Sequence, residues 1–133
     1  MAKPPARSPS PCPCGLDATY EQCCGRFHAG TATPATAELL MRSRYSAFVV
    51  GDAAYLLSTW ACAERPRHLR FDHRLRWTGL EIVGRTGGSA FQSDGTVEFR
   101  ARYDRDGEPG EQHENSRFVR EGDRWVYLRP TGD

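Results

Sequence analysis

A chain of 133 residues and 14.9 kDa holds one domain plus a small accessory module, and two full domains do not fit. Eighteen basic and 17 acidic side chains leave a formal charge of +1, which removes the long-range field of a generic polyanion binder. The 38% of apolar residues suffice for one core, and no run approaches the roughly 18 to 20 consecutive apolar residues that cross a bilayer.

Residues 1–11 carry four prolines and no apolar periodicity, so a disordered or polyproline-like leader is expected there. The same stretch has no apolar h-region, which argues against a secretory signal and for a cytoplasmic protein. Four of the five cysteines follow in Cys12-Pro-Cys14-Gly-Leu-Asp-Ala-Thr-Tyr20-Glu-Gln-Cys23-Cys24-Gly-Arg-Phe-His28. In the reducing cytoplasm such a cluster is not a disulfide framework. Zinc fits it: a borderline-soft d¹⁰ cation favours tetrahedral thiolate and imidazole ligation, and a closed four-ligand shell is structural. Cys12, Cys14, Cys23 and Cys24 are the expected ligands, with His28 as a competitor for the fourth position. Pro13 and Gly15 allow the sharp turn that the first pair needs. The adjacent second pair needs irregular backbone, which Gly25 permits. Metal binding also accounts for how a loop with so few apolar residues folds.

The stretch 31–37 reads as a linker ending in a helix start, with Thr36 or Thr33 as cap and Glu38 near the positive end of the dipole. Leu40, Met41, Arg44, Tyr45, Ala47 and Phe48 recur at three- and four-residue spacings, which predicts an amphipathic helix over 36–50 ended by Gly51. Asp52 caps a second helix running to about Cys62, with Tyr55, Leu56, Thr59 and Trp60 at helical spacing. Cys62, among alanines, reads as a small buried hydrophobe.

The texture changes at 64–76, which hold five arginines, two histidines and two acids. Arg67, Arg70, Arg74 and Arg76, interleaved with Phe71 and Trp77, are candidates for contacting RNA or another anion. The simpler reading is a solvated segment whose arginines pair with acids of the sheet such as Glu81 or Glu98.

Beyond it the period becomes two. Val97, Phe99, Ala101 and Tyr103 alternate with Glu98, Arg100 and Arg102, as in a half-buried antiparallel strand. Further strands are expected at 77–85, 111–121 and 124–129, separated by turns at 86–89, 93–95, 104–107 and 121–123. Trp125 and Tyr127 point to one face of the last strand and Val126 and Leu128 to the other, so that strand should be central or covered on both sides. Helices segregated from consecutive strands make an α+β fold: a curved antiparallel sheet with the N-terminal helices packed on its concave face, preceded by a zinc knuckle.

The spacing C-x-C-x₈-C-C, with Gly after the second and fourth cysteines and Tyr three before the third, resembles the SEC-C zinc finger of the translocation ATPase SecA. Leu40-Met-Arg-Ser-Arg-Tyr-Ser-Ala-Phe48, Gly51-Asp-Ala-Ala-Tyr-Leu56, Thr59-Trp60, Glu114-Asn-Ser-Arg-Phe118 and Trp125-Val-Tyr127 resemble the YchJ family of bacterial proteins. The resemblance implies a SEC-C motif over 12–30, with Cys12, Cys14, Cys23 and Cys24 as ligands, and over 34–130 a domain similar to nuclear transport factor 2, whose α+β sheet is curved and cone-like. Where the SecA finger carries lysines, this chain has Leu16-Asp-Ala-Thr-Tyr-Glu-Gln22, so the contacts of that finger with SecB and ribosomes do not transfer. Many members of the family it resembles carry a second, C-terminal finger; with no such cysteines before Asp133, one finger is expected here.

Three functions follow as expectations. The first is a zinc-binding cytoplasmic protein that acts as an interaction or adaptor module with a protein partner. The second is a small-molecule-binding or enzymatic cone domain with a pocket near Tyr45, Trp60, Trp77, Glu114 and Ser116, in which a carboxylate beside aromatics can serve as a base. Packing is the simpler role for the aromatics, and ion pairing with Arg42 or Arg44 for Glu114. The third is anion or RNA binding by the arginine-rich segment. No catalytic residue is assigned.

Overall fold

The computed structural model describes residues 11–131. The leader expected over 1–11 therefore lies outside the described residues except for Pro11. The elements are α1 (Cys24–His28), α2 (Ala37–Val50), α3 (Ala53–Ser58), a 3₁₀ turn (Cys62–Glu64), β1 (Leu75–Gly87), β2 (Asp94–Arg105), β3 (Glu108–Glu121) and β4 (Arg124–Pro130). Among the described residues no helix is long and apolar enough to cross a membrane.

Local chemistry sets the helix ends. Thr36 accepts a hydrogen bond from the Leu39 amide (3.1 Å) and Asp52 from the Tyr55 amide (3.0 Å), while Gly51, at φ +78°, closes α2 in the left-handed conformation. The second helix is shorter than its periodicity suggests. It stops at Ser58, and residues 59–61 pair with β4 instead: Tyr127 N–H donates to the Thr59 carbonyl (2.8 Å) and Ala61 N–H to the Tyr127 carbonyl (2.7 Å).

The strands form one antiparallel sheet in the order β1-β2-β3-β4. Asp106 and Gly107, at φ +53° and +86°, make the two-residue turn joining β2 and β3, whose twist matches that of the strands. Register shifts after Trp77 and Ile82 put two bulges into β1, and bulges bend a strand and raise its twist. β4 is an edge strand rather than a central one. It is nonetheless covered, because residues 59–61 seal its outer edge and both Trp125 and Val126 are buried.

α2 packs on β1, β2 and β4. Ala37, Leu40, Met41 and Tyr45 meet the alternating Val97, Phe99 and Ala101 of β2, Phe118 of β3 and Trp125 of β4. Burying a side chain the size of Phe118 stabilises by about 1.5 to 3 kcal/mol. The Trp125 indole N–H donates to the Ala35 carbonyl (3.1 Å), which ties the linker to the sheet. α2 is buried beyond its apolar stripe. Ser43 and Ser46, on the side away from the sheet, have no exposure, because the cysteine motif and α3 cover them.

Candidate metal centre

Each cysteine pair sits on a turn built by neighbouring backbone. Pro11 bridges to Thr19, the Cys12 amide donates to the Ala18 carbonyl (2.9 Å) and the Gly15 amide to the Cys12 carbonyl (3.2 Å), with Gly15 at φ +93°. This knuckle turns Cys12 and Cys14 to one side. Opposite, the Tyr20 carbonyl accepts from the amides of Cys23 (3.1 Å) and Gly25 (2.7 Å). Cys23 lies outside the helical basin (φ −118°, ψ −111°) as the cap of α1, and Cys24 is the helix's first residue. That break aims adjacent side chains at one point. Gly25 serves close approach rather than left-handed backbone: a Cβ there would lie 2.7 Å from the Tyr20 carbonyl oxygen.

The four Sγ atoms lie within 4.8 Å of one another, and all four cysteines are buried. Cys14 and Cys23 sulfurs are 3.7 Å apart, far beyond a disulfide bond. A tetrahedron with metal–sulfur bonds of about 2.3 Å has edges of about 3.8 Å, so the donor set fits one thiolate-loving ion. Without a cation the cluster shares its protons unevenly. The hydrogen bond from Cys24 draws the Cys14 thiol down to about 5, burial pushes Cys23 up to about 12, and the bond to Cys14 raises Cys24. A cation binding there displaces protons from Cys23 and Cys24.

The motif is lashed to α2. Arg42 donates from Nη1 to the Cys14 carbonyl (2.7 Å) and from Nε to Glu38 (2.9 Å), which also accepts from Arg85 of β1 (2.7 Å). Ser46 Oγ lies 3.7 Å from Cys12 Sγ. His28 stands outside the sulfur cluster with both ring nitrogens engaged. Nε2 donates to the Ser43 carbonyl (2.8 Å), which leaves Nδ1 to accept from the Tyr20 hydroxyl (2.6 Å), so His28 joins motif to helix instead of competing for the fourth position.

The other candidates scatter. Tyr45 and Trp77 pack edge-to-face (centroids 6.1 Å apart), and Trp77 also meets Phe48 and Tyr103. Neither lines the cavity of about 190 Å³ onto which Glu114 faces. Trp60, Glu114 and Ser116 do, together with Arg44, Gln112 and Tyr127. Glu114 pairs with neither Arg42 nor Arg44. Its Oε2 accepts from Ser116 (2.5 Å) and Tyr127 (3.1 Å), and its Oε1 from Gln112 (3.3 Å). Arg44 and Tyr127 were not anticipated as lining residues, although an arginine on the apolar stripe of α2 was a visible signal. Cys62 is exposed rather than buried, because α3 ends before it.

In the arginine-rich segment, Arg67, Arg70, Arg74 and Arg76 are all exposed. Arg74 pairs with Asp106 (2.7 Å from Nε) and Arg76 with Asp104 (3.7 Å), both beside the β2–β3 turn. Glu81 and Glu98 are not their partners. Glu81 meets Arg100 and Arg102 across the β1–β2 ladder, and Glu98 meets His113 across β2–β3.

Known proteins share this arrangement. The family model for the middle, nuclear-transport-factor-2-like domain of YchJ matches residues 36–130. A UPF0225 protein of Streptomyces avermitilis is 57% identical over 128 residues, covering 96% of this chain and 89% of its own. Another from Cupriavidus pinatubonensis is 45% identical over 138 aligned positions, covering 98% and 93%. A solution structure of a SEC-C motif containing protein from Rhodopseudomonas palustris superposes with a TM-score of 0.78 at 34% identity, covering 92% of this chain and 98% of that one. A crystal structure of a SEC-C motif containing protein from Psychrobacter arcticus gives 0.73 at 29% identity, covering 90% and 81%. With its clustered cysteines docked on an α+β domain of this kind, the chain belongs to the YchJ family of SEC-C motif proteins.

Proposed function

We propose that Cys12, Cys14, Cys23 and Cys24 hold one zinc ion in a structural role, and that the protein is a cytoplasmic interaction module whose finger is presented on the α+β domain. The convergence of four buried sulfurs within 4.8 Å carries the metal reading. Four thiolates saturate a tetrahedral ion and leave no position for substrate, so the ion would supply folding energy rather than Lewis-acid chemistry. Zinc is favoured because it is redox-inert and is well matched to sulfur ligands.

Support for an interaction role comes from the loop between β1 and β2. Phe91 at its tip is 97% exposed, and the loop is braced from behind by Arg120, which donates to the carbonyls of Gln92 (2.7 Å) and Ala90 (3.0 Å). A pre-organised aromatic loses little entropy when it docks, which is the character of an interface anchor.

Elemental analysis and zinc-edge X-ray absorption of the purified protein test the metal assignment. One zinc per chain with four sulfur neighbours at about 2.3 Å is expected; a sulfur–nitrogen shell, or no metal under reducing conditions, would overturn it. A photo-crosslinking residue at position 91 tests the interface: a discrete protein adduct competed away by wild type, but not by Phe91→Ser, is expected. Equal competition by the two proteins would remove Phe91 as the anchor.

A further inference from the structure

Arg44 interrupts the apolar stripe of α2, and its side chain is almost wholly buried (5% exposed). Among the described residues it forms no ion pair, and its hydrogen bonds both leave from Nη1, to the Leu56 carbonyl (2.8 Å) and Thr59 Oγ1 (2.7 Å). A buried cation that no carboxylate touches directly is costly. The faces of Trp60 and Tyr127, with centroids 5.1 and 4.8 Å from the guanidinium carbon, offset part of that cost. Burial draws the group down to about 10, so it stays charged at neutral pH.

This guanidinium lines the cavity of about 190 Å³ between α2 and the sheet. Met41, Phe99 and Ser116 are its buried floor, and Gln112 is exposed at its mouth. Glu114 faces the same space, its carboxylate held by Ser116, Tyr127 and Gln112. The cavity therefore has a cation whose Nε and Nη2 make no hydrogen bond among the described residues, a carboxylate acceptor, and aromatic walls. Volume and charge narrow the occupant. A cavity of about 150 Å³ takes up benzene, so the ligand is about one ring in size. A planar carboxylate matches the two-nitrogen fork of arginine, and its single charge is repelled by Glu114 less than that of a phosphate dianion.

We propose that this cavity is a binding site for a small, partly apolar carboxylate that also carries a hydrogen-bond donor. The carboxylate meets Nε and Nη2 of Arg44, the apolar body lies against Trp60, Met41 and Phe99, and the donor ends on Glu114. The site is separate from the cysteine cluster and does not depend on what the finger binds.

The test is ¹H–¹⁵N NMR titration of the full, metal-loaded protein with benzoate, 4-hydroxybenzoate and the neutral isostere benzamide. Expected are saturable shifts of the Trp60 indole and of the Ser116 and Tyr127 amides with both carboxylates, and at least about tenfold weaker binding of benzamide. Arg44→Gln should weaken both carboxylates by about tenfold or more, and Glu114→Gln only 4-hydroxybenzoate. Should Arg44→Gln not fold, Gln112→Trp, at the exposed mouth, blocks entry and should abolish the shifts with the spectrum otherwise native. Absence of saturable shifts at Trp60 with either carboxylate, equal affinity for benzamide, or binding that survives Gln112→Trp would overturn the proposal.

Discussion

Among the described residues, the finger buries Cys12, Cys14, Cys23 and Cys24 against the partly buried apolar side chains of Leu16, Ala18, Tyr20 and Leu80 of β1, whereas the domain buries Leu40, Val97, Phe99, Phe118 and Trp125 in one continuous cluster. Apolar burial pays for the ordering of the second region, because Phe118 and Trp125 are each withdrawn almost completely from water. The first region has no comparable reserve. Its sulfurs lie close together, each burdened with a proton or a charge, until a cation replaces those protons. Under the proposed metal reading, two neighbouring parts of one chain therefore depend on different variables: metal activity and pH for one, hydrophobic packing for the other. The bonds from Arg42 to Cys14 and from His28 to Ser43 are where the dependences meet.

Cys14→Ser should have the largest effect, since structural zinc contributes about 10 to 16 kcal/mol to small sites. Zinc content should fall to background and limited proteolysis should cut within 12–28, while far-ultraviolet circular dichroism keeps the sheet signal. Acidification should do the same to wild type, because protons compete for Cys23 and Cys24, so zinc affinity falls as pH falls. Phe118→Ala breaks the comparison from the other side. It should cost about 3 to 5 kcal/mol in urea unfolding of the domain, with zinc retained under native conditions. Gly25→Ala probes the junction. The new Cβ meets the Tyr20 carbonyl at 2.7 Å and its ring at 3.0 Å, so a cost of about 1 to 3 kcal/mol and a weaker hold on zinc are expected in chelator competition. Gly79→Ala, with nothing within 4 Å, is the matched control.

The smallest effect is that of Asp72→Asn. The Arg74 amide and the Arg105 guanidinium hold the Asp72 carboxyl below the usual range. A carboxylate with a depressed folded value stabilises above about pH 4 and loses that contribution as pH falls through its folded value. The melting temperature of Asp72→Asn should thus lie slightly below wild type at neutral pH, and the gap should close on acidification.

Much of the architecture was legible because local rules govern it. Thr36, Gly51 and Asp52 mark helix ends by their own hydrogen bonds and dihedral angles, and the alternation at Val97, Phe99 and Ala101 selects the inner face of β2. The sulfur set was legible from its spacing and from metal chemistry. What escaped was long-range. Nothing local in Trp60 or Ala61 says that this segment seals the edge of β4, and that pairing ends α3 early and leaves Cys62 exposed. For His28, proximity in the chain allows only a competitor for the fourth position, and the bonds of its imidazole to Ser43 and Tyr20 depend on contacts that spacing does not show. The partners of Glu81 and Glu98 depend on strand register: two bulges in β1 shift the ladder that brings Glu81 to Arg100 and Arg102, and the unbroken β2–β3 pairing brings Glu98 to His113.

Hydrogen exchange measured before and after chelation most directly tests the division into a metal-dependent finger and a self-sufficient domain. The account predicts that amides of Cys12, Gly15, Cys23 and Gly25 lose protection when the metal is withdrawn, while those of β2 and β3 keep theirs. Equal loss across both regions, or a finger that stays protected without metal, would contradict it.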